Sequence, residues 1–127
     1  MAFNILIVDD SPTIRAIITK VLRLAKVSIN ELYEAENGQE ALDILKENWI
    51  DLVLADINMP VMNGIEMIER MSADGLLDTI PVIVVSTEGS TPRVERLKNQ
   101  GIKGYIRKPC SPEFLRQLVD ETLGVAS

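Results

Sequence analysis

Four residues of this chain could do chemistry together. Asp9 and Asp10 close the first apolar run, Asp56 closes a central one, and Lys108 closes the last, just before Pro109. If those runs are neighbouring parallel strands, the four side chains meet at one edge of a sheet. Two like charges about 4 Å apart repel by roughly 4 kcal/mol at an effective dielectric near 20, so gathered carboxylates need a cation and a basic neighbour. Such a site suits Mg2+, which prefers oxygen ligands, and a phosphoryl group, whose charge a lysine can meet.

Composition narrows the chemistry further. The chain has no histidine and one cysteine, Cys110, which excludes the usual zinc sites, histidine-based triads and an internal disulfide. A net charge of −6 disfavours direct DNA or RNA binding and fits cations and basic partner surfaces better. The apolar stretches, such as Ile5 to Val8 and Val82 to Val85, fall far below the roughly 20 residues that span a bilayer, so no membrane insertion and a cytoplasmic location are expected. With 127 residues and 46% apolar composition, one core and a single domain over residues 1–127 are expected. Neither a G-x-G-x-x-G nor a G-x-x-x-x-G-K-[ST] nucleotide-binding loop is present.

Periodicity supplies the elements that would position the four residues. Phe3 to Val8 reads as a strand covered on both faces. Pro12 behind Ser11 opens a helix whose buried stripe is read as Ile14, Ile17, Ile18, Val21, Leu22 and Ala25. Ile29 to Ala35 alternates as a strand; Asn37, with Glu40 three positions on, caps a helix running to about Glu47. Trp49 is expected to be partly buried after that helix. Asp51 to Ala55 is the third strand, followed by a loop with Pro60. Gly64 leads into a helix with Ile65, Ile68 and Met71 inward, and Ala73-Asp74-Gly75 ends it. Val82 to Ser86, the most apolar strand, is placed near the sheet centre, and the more polar Lys103 to Arg107 at its edge. Between them Thr91-Pro92 starts a helix that Gly101 stops. Ser111-Pro112 caps a last helix with Leu115, Leu118, Val119 and Leu123 inward. Fivefold strand–helix alternation with right-handed crossovers predicts an α/β fold, an open parallel sheet with helices on both faces.

The stretches ILIVDD, DLVLADINMPVMNG, IPVIVVSTE and GYIRKP, in that order and spacing, resemble the receiver domain of two-component response regulators over essentially the whole chain. Within that family MSADGLLDTIPVIVVSTEG and Tyr105 are most similar to the stand-alone chemotaxis regulators of the CheY kind. The resemblance, not periodicity, implies the flavodoxin-like strand order 2-1-3-4-5. It implies that Asp56 accepts a phosphoryl group from a histidine kinase or phosphotransfer protein in a Mg2+-dependent reaction. Asp10 and Asp56 would bind Mg2+ directly, Asp9 through water and Asn58 through its backbone carbonyl. Lys108 and Ser86 would contact the phosphoryl group, Ser86 and Tyr105 would switch with it, and Asn58, Thr87 and Glu88 would modulate its lifetime. The Lys108-Pro109 peptide would be cis.

Thr87 stands where many relatives carry alanine or glycine, which narrows access to the phosphoryl group. Cys110 stands where phenylalanine is common, which alters packing but no proposed ligand. Such a protein is not a multiple-turnover enzyme; it catalyses its own phosphotransfer and autodephosphorylation. It would be a monomer that signals by binding an output protein.

Blander readings exist for each residue. Asp9 and Asp10 could end a strand and cap a helix, Asp56 could be a turn residue, Lys108 a solvated cation, and Ser86 a strand-end hydrogen-bonding group. Tyr105 could simply pack on a helix. Met59, Met62, Met67 and Met71 read as core and loop packing. Arg93, Arg96 and Lys98 read as a solvated helix face. A dehalogenase-type phosphohydrolase, which also uses an aspartate nucleophile, Mg2+ and a lysine, would show Asp-x-Asp after the first strand. Here the aspartates are adjacent.

Overall fold

In the computed structural model, residues 2–87, 91–108 and 111–124 are described. Glu88, Pro109 and Cys110, and with them the cis peptide expected at Lys108-Pro109, lie outside the described residues, as does the Arg93 side chain. The elements run β1 (Phe3–Val8), α1 (Pro12–Leu24), β2 (Ile29–Ala35), α2 (Gly38–Glu47), β3 (Leu52–Ala55), α3 (Gly64–Ala73), a 3-10 turn (Leu76–Asp78), β4 (Val82–Ser86), α4 (Thr91–Gln100), β5 (Gly104–Arg107) and α5 (Pro112–Leu123). All five strands are parallel, in the order β2-β1-β3-β4-β5.

The alternation of strand side chains divides the core into two layers. Leu6 and Val8 point to the layer shared with Leu42 of α2, Ile68 of α3 and Leu97 of α4. Ile5 and Ile7 point to the other, filled by Ile18 and Leu22 of α1 and by Leu115 and Val119 of α5. Because both faces are covered, the inner strands read as continuous apolar runs: β3 and β4 are buried at every position. β5 lies at the edge, as its polarity predicts. β4 is interior but not central; that place belongs to β3.

Local chemistry sets the helix ends. Ser11, Asn37, Asn63 and Ser111 each accept a hydrogen bond from the backbone N–H three residues on, satisfying one of the free donors of the first turn. Glu40 reaches back to accept from the Glu36 N–H at 3.1 Å. α1 closes in a Schellman arrangement: the Val27 N–H donates to Leu22 O and the Lys26 N–H to Arg23 O, with Lys26 at φ 58°.

Four expectations need correction. Ile17 is 49% exposed, while Arg15 is buried in its stead. At about 100° per residue, Arg15 lies closer than Ile17 to the direction shared by Ile18, Leu22 and Ala25. Trp49 is 78% exposed, its indole N–H donating to Asp51 Oδ1 at 3.0 Å. β3 begins at Leu52 rather than Asp51, whose carboxylate accepts from the Trp49 indole and from the Asn4 N–H. β5 begins at Gly104 rather than Lys103. The methionines pack as read: Met62, Met67 and Met71 are buried, and Met59 rests against the same layer.

Candidate functional site: an acidic cluster with a lysine

Register explains how residues far apart in sequence converge. Val8 is paired with Ala55, so Asp9 and Asp56 follow at the same level on adjacent strands. The Asp56 N–H donates to Val8 O at 2.9 Å and the Asp9 N–H to Ala35 O at 3.0 Å, extending the sheet by one step beneath both carboxylates. Ser86 is paired with Arg107, and the Lys108 N–H donates to Ser86 O at 3.0 Å, so Lys108 leaves the sheet at the same end.

Asp9, Asp10 and Asp56 each present a carboxylate oxygen within 4.8 Å of the others. Lys108 Nζ lies 3.0 Å from Asp9 Oδ2 and 3.5 Å from Asp56 Oδ2. Three carboxylates and one ammonium leave two negative charges, which a divalent cation would cancel. The donors are all oxygen, the set that hard cations such as Mg2+ take, so the residues present fit that ion.

The three acids are held differently. Asp9 is buried, and its Oδ1 accepts from the Ser11 N–H at 2.9 Å. Asp10 is exposed. Asp56 is intermediate, with Oδ1 accepting from the Ile57 N–H at 2.7 Å and Oδ2 facing Lys108. The lone pairs of Asp56 are thus partly fixed while the carboxylate stays reachable.

Close packing beneath Asp56 depends on Gly64. A Cβ there would stand 2.2 Å from Asp56 O and 2.9 Å from Ile57 Cα, while the Gly64 N–H donates to Ile57 O at 2.8 Å. The turn between them is strained. Val61 has φ 64°, and the Met62 N–H reaches back to Pro60 O at 2.7 Å, a tight three-residue turn.

The remaining candidates fall around this cluster to different degrees. Ser86 is fully buried at the end of β4. Asn58 and Thr87 are exposed. Tyr105 is paired with Val84 on β5, two residues before the Ser86–Arg107 pair. Strand alternation therefore puts Ser86 and Tyr105 on one face of the sheet, the face of α2, α3 and α4. Periodicity missed Arg15 and Glu34, which meet beside Asp9; an arginine on the buried stripe of an amphipathic helix was the available signal. A cavity of about 300 Å3 lined by Leu45, Trp49, Ile50, Leu76 and Ile80 lies at the opposite end of the strands and has no part in this cluster.

The profile of the response regulator receiver domain matches residues 5–120. The chain belongs to that family. This receiver is 36% identical over 125 residues to the "Chemotaxis protein CheY homolog" of Campylobacter jejuni, covering 98% of this chain and 95% of the relative. It is 37% identical over 122 residues to the chemotaxis protein CheY1 of Helicobacter pylori strain J99, covering 95% and 97%. The high-resolution structure of the chemotaxis response regulator CheY4 of Vibrio cholerae superposes with a TM-score of 0.83 at 30% identity, covering 97% of this chain and all of that one. Fold and strand order are those of CheY-like receivers. In this chain the acidic cluster sits at the carboxyl end of the sheet.

Proposed function

We propose that this receiver accepts a phosphoryl group on Asp56 from a histidine kinase or phosphotransfer protein and signals by binding an output protein, in a chemotaxis-like pathway. The observation that carries the reading is the facing of Asp56 Oδ2 and Lys108 Nζ at 3.5 Å beside two further carboxylates. A carboxylate held against an ammonium and a cation-fitting acidic pair is equipped for in-line attack on phosphorus. The Asp56 oxygen forms the new P–O bond as the P–N bond to the donor imidazole breaks and its electron pair returns to nitrogen.

Asp10, Asp56 and the Asn58 backbone carbonyl, with Asp9 through water, would hold Mg2+, whose charge would offset that of the transferring group. Lys108 gives a compact positive charge to a phosphoryl oxygen, and the Ser86 hydroxyl donates to another. By family resemblance Thr87, Asn58 and Glu88 would govern water's access to the acyl phosphate, hence how long it lasts; Thr87 and Asn58 are exposed. Hydrolysis of that bond by the receiver itself resets it, so it is a switch and not a multiple-turnover enzyme. We further propose a single domain over residues 1–127, acting as a cytoplasmic monomer without direct DNA contact. In support, both core layers share one sheet, and among the described residues no helix is long and apolar enough to cross a membrane.

Acetyl phosphate with millimolar Mg2+ should label Asp56, giving a hydroxylamine-labile product that mass spectrometry locates, and Asp56→Asn should abolish it. Phosphate found on Ser86 or Thr87, or labelling indifferent to Mg2+, would overturn the assignment.

A further inference from the structure

Arg15 shares the buried face of α1 with Ile18, Val21 and Leu22 and is only 9% exposed. Its Nε donates to Glu34 Oε1 on β2 at 3.0 Å, and its Nη1 donates to the backbone carbonyl of Asp9 at 2.5 Å. The Glu34 side chain is half exposed, so the ion pair is screened by water and contributes little to stability. Packing of α1 alone therefore gives no reason for an arginine here.

The carbonyl it grips belongs to the peptide that joins Asp9 to Asp10. The other polar groups of Asp9 are also held: its N–H by Ala35 O, and its carboxylate by the Ser11 N–H and Lys108. Asp10 follows that peptide directly, so the peptide's orientation sets where the Asp10 Cα–Cβ bond leaves the backbone, though the side chain itself is exposed. We propose that Arg15 is a positioning residue for the cation site: braced on Glu34, it fixes the Asp9–Asp10 peptide and so aims Asp10 at the space shared with Asp56. This rests on reading the acidic cluster as a Mg2+ site.

The sign of the effect separates positioning from charge. A cationic side chain near the cluster opposes a bound metal, so on electrostatics alone Arg15→Met would tighten Mg2+ binding. Positioning requires the reverse. Calorimetric titration of MgCl2 into the full chain, below the melting temperature of each variant, should show Arg15→Met at least fivefold weaker than wild type. Arg15→Lys, which keeps the charge but replaces a two-pronged fork with a single ammonium, should be at least threefold weaker. It decides the matter if the methionine variant does not fold. Glu34→Gln, which retains an acceptor for Nε, should stay within twofold. In Mg2+-free protein the Asp10 amide resonance should move in Arg15→Met.

A merely structural arginine would lower the melting temperature of the variants and leave the dissociation constant of folded protein alone. Unchanged or tighter Mg2+ binding in the folded Arg15 variants overturns the proposal while sparing the cation site. Absence of saturable Mg2+ binding in the wild type overturns both.

Discussion

At the scale of single residues, the backbone carries strain in two places where a side chain is present, among the described residues. Val61 and Lys26 hold φ angles of 64° and 58°, in the left-handed region that disfavours side chains by roughly 1–2 kcal/mol. The cost is greatest for a β-branched residue, and Val61 is also 82% exposed, so burial returns little. Val61→Asn should raise stability by about 1 kcal/mol, and Lys26→Gly by a similar amount at its Schellman position. Urea unfolding of the two variants checks both; a loss of stability in either would mean that its side chain makes contacts outweighing the strain. The sequence marks Pro60 and Gly64 as turn residues but gives no sign that Val61 between them must turn left-handed. That angle follows from β3 and α3 being fixed on either side.

Elements matter here mainly as rulers. β3 ends at Ala55 and α3 begins at Gly64, and the loop between them folds back so tightly that the Gly64 backbone touches the carbonyl of Asp56. Gly64→Ala should cost about 1–3 kcal/mol through overpacking, more if the loop cannot shift. It should also slow acetyl phosphate labelling, because the displaced atom belongs to the main chain of Asp56, the proposed acceptor. Full labelling at the wild-type rate in a destabilised Gly64→Ala protein would show that Asp56 tolerates the shift. The element pattern was largely legible: caps at Ser11, Asn37 and Ser111 and the stripes of α3 and α5 come from local rules. Where two side chains competed for one face, as Ile17 and Arg15 do on α1, hydrophobicity alone chose wrongly. The arginine is drawn inward by Glu34 and Asp9 O, partners that belong to other parts of the chain.

For the whole molecule, the question is how a phosphoryl group at the carboxyl end of the sheet would alter a distant surface. Ser86 is fully buried at the tip of β4, and Tyr105 shares its face of the sheet one strand over. Drawing the Ser86 hydroxyl toward a new anion would open space beside β4, which Tyr105 is placed to fill. The signal would then reach the surface of α4, β5 and α5 by repacking between two arrangements. Beryllofluoride should therefore shift amide resonances from Thr91 through Lys108 in the wild type, and Ser86→Ala should mute those shifts while still accepting phosphate. Unshifted resonances in that stretch would break this coupling even with Asp56 phosphorylated.

The sequence by itself determined the alternation of elements, the helix caps, the two-sided burial of the inner strands and the candidate status of Asp9, Asp10, Asp56 and Lys108, because all of these depend on spacing along one segment. Strand order entered only through family resemblance. What only the tertiary structure decided is the pairing of Val8 with Ala55 that levels Asp9 with Asp56, the bridging of Lys108 between them, the Arg15 brace and the contact of Gly64 with Asp56. Each joins residues on different segments of the chain. No local periodicity encodes such a distance; it is set by how the strands register and how the layers close on the sheet.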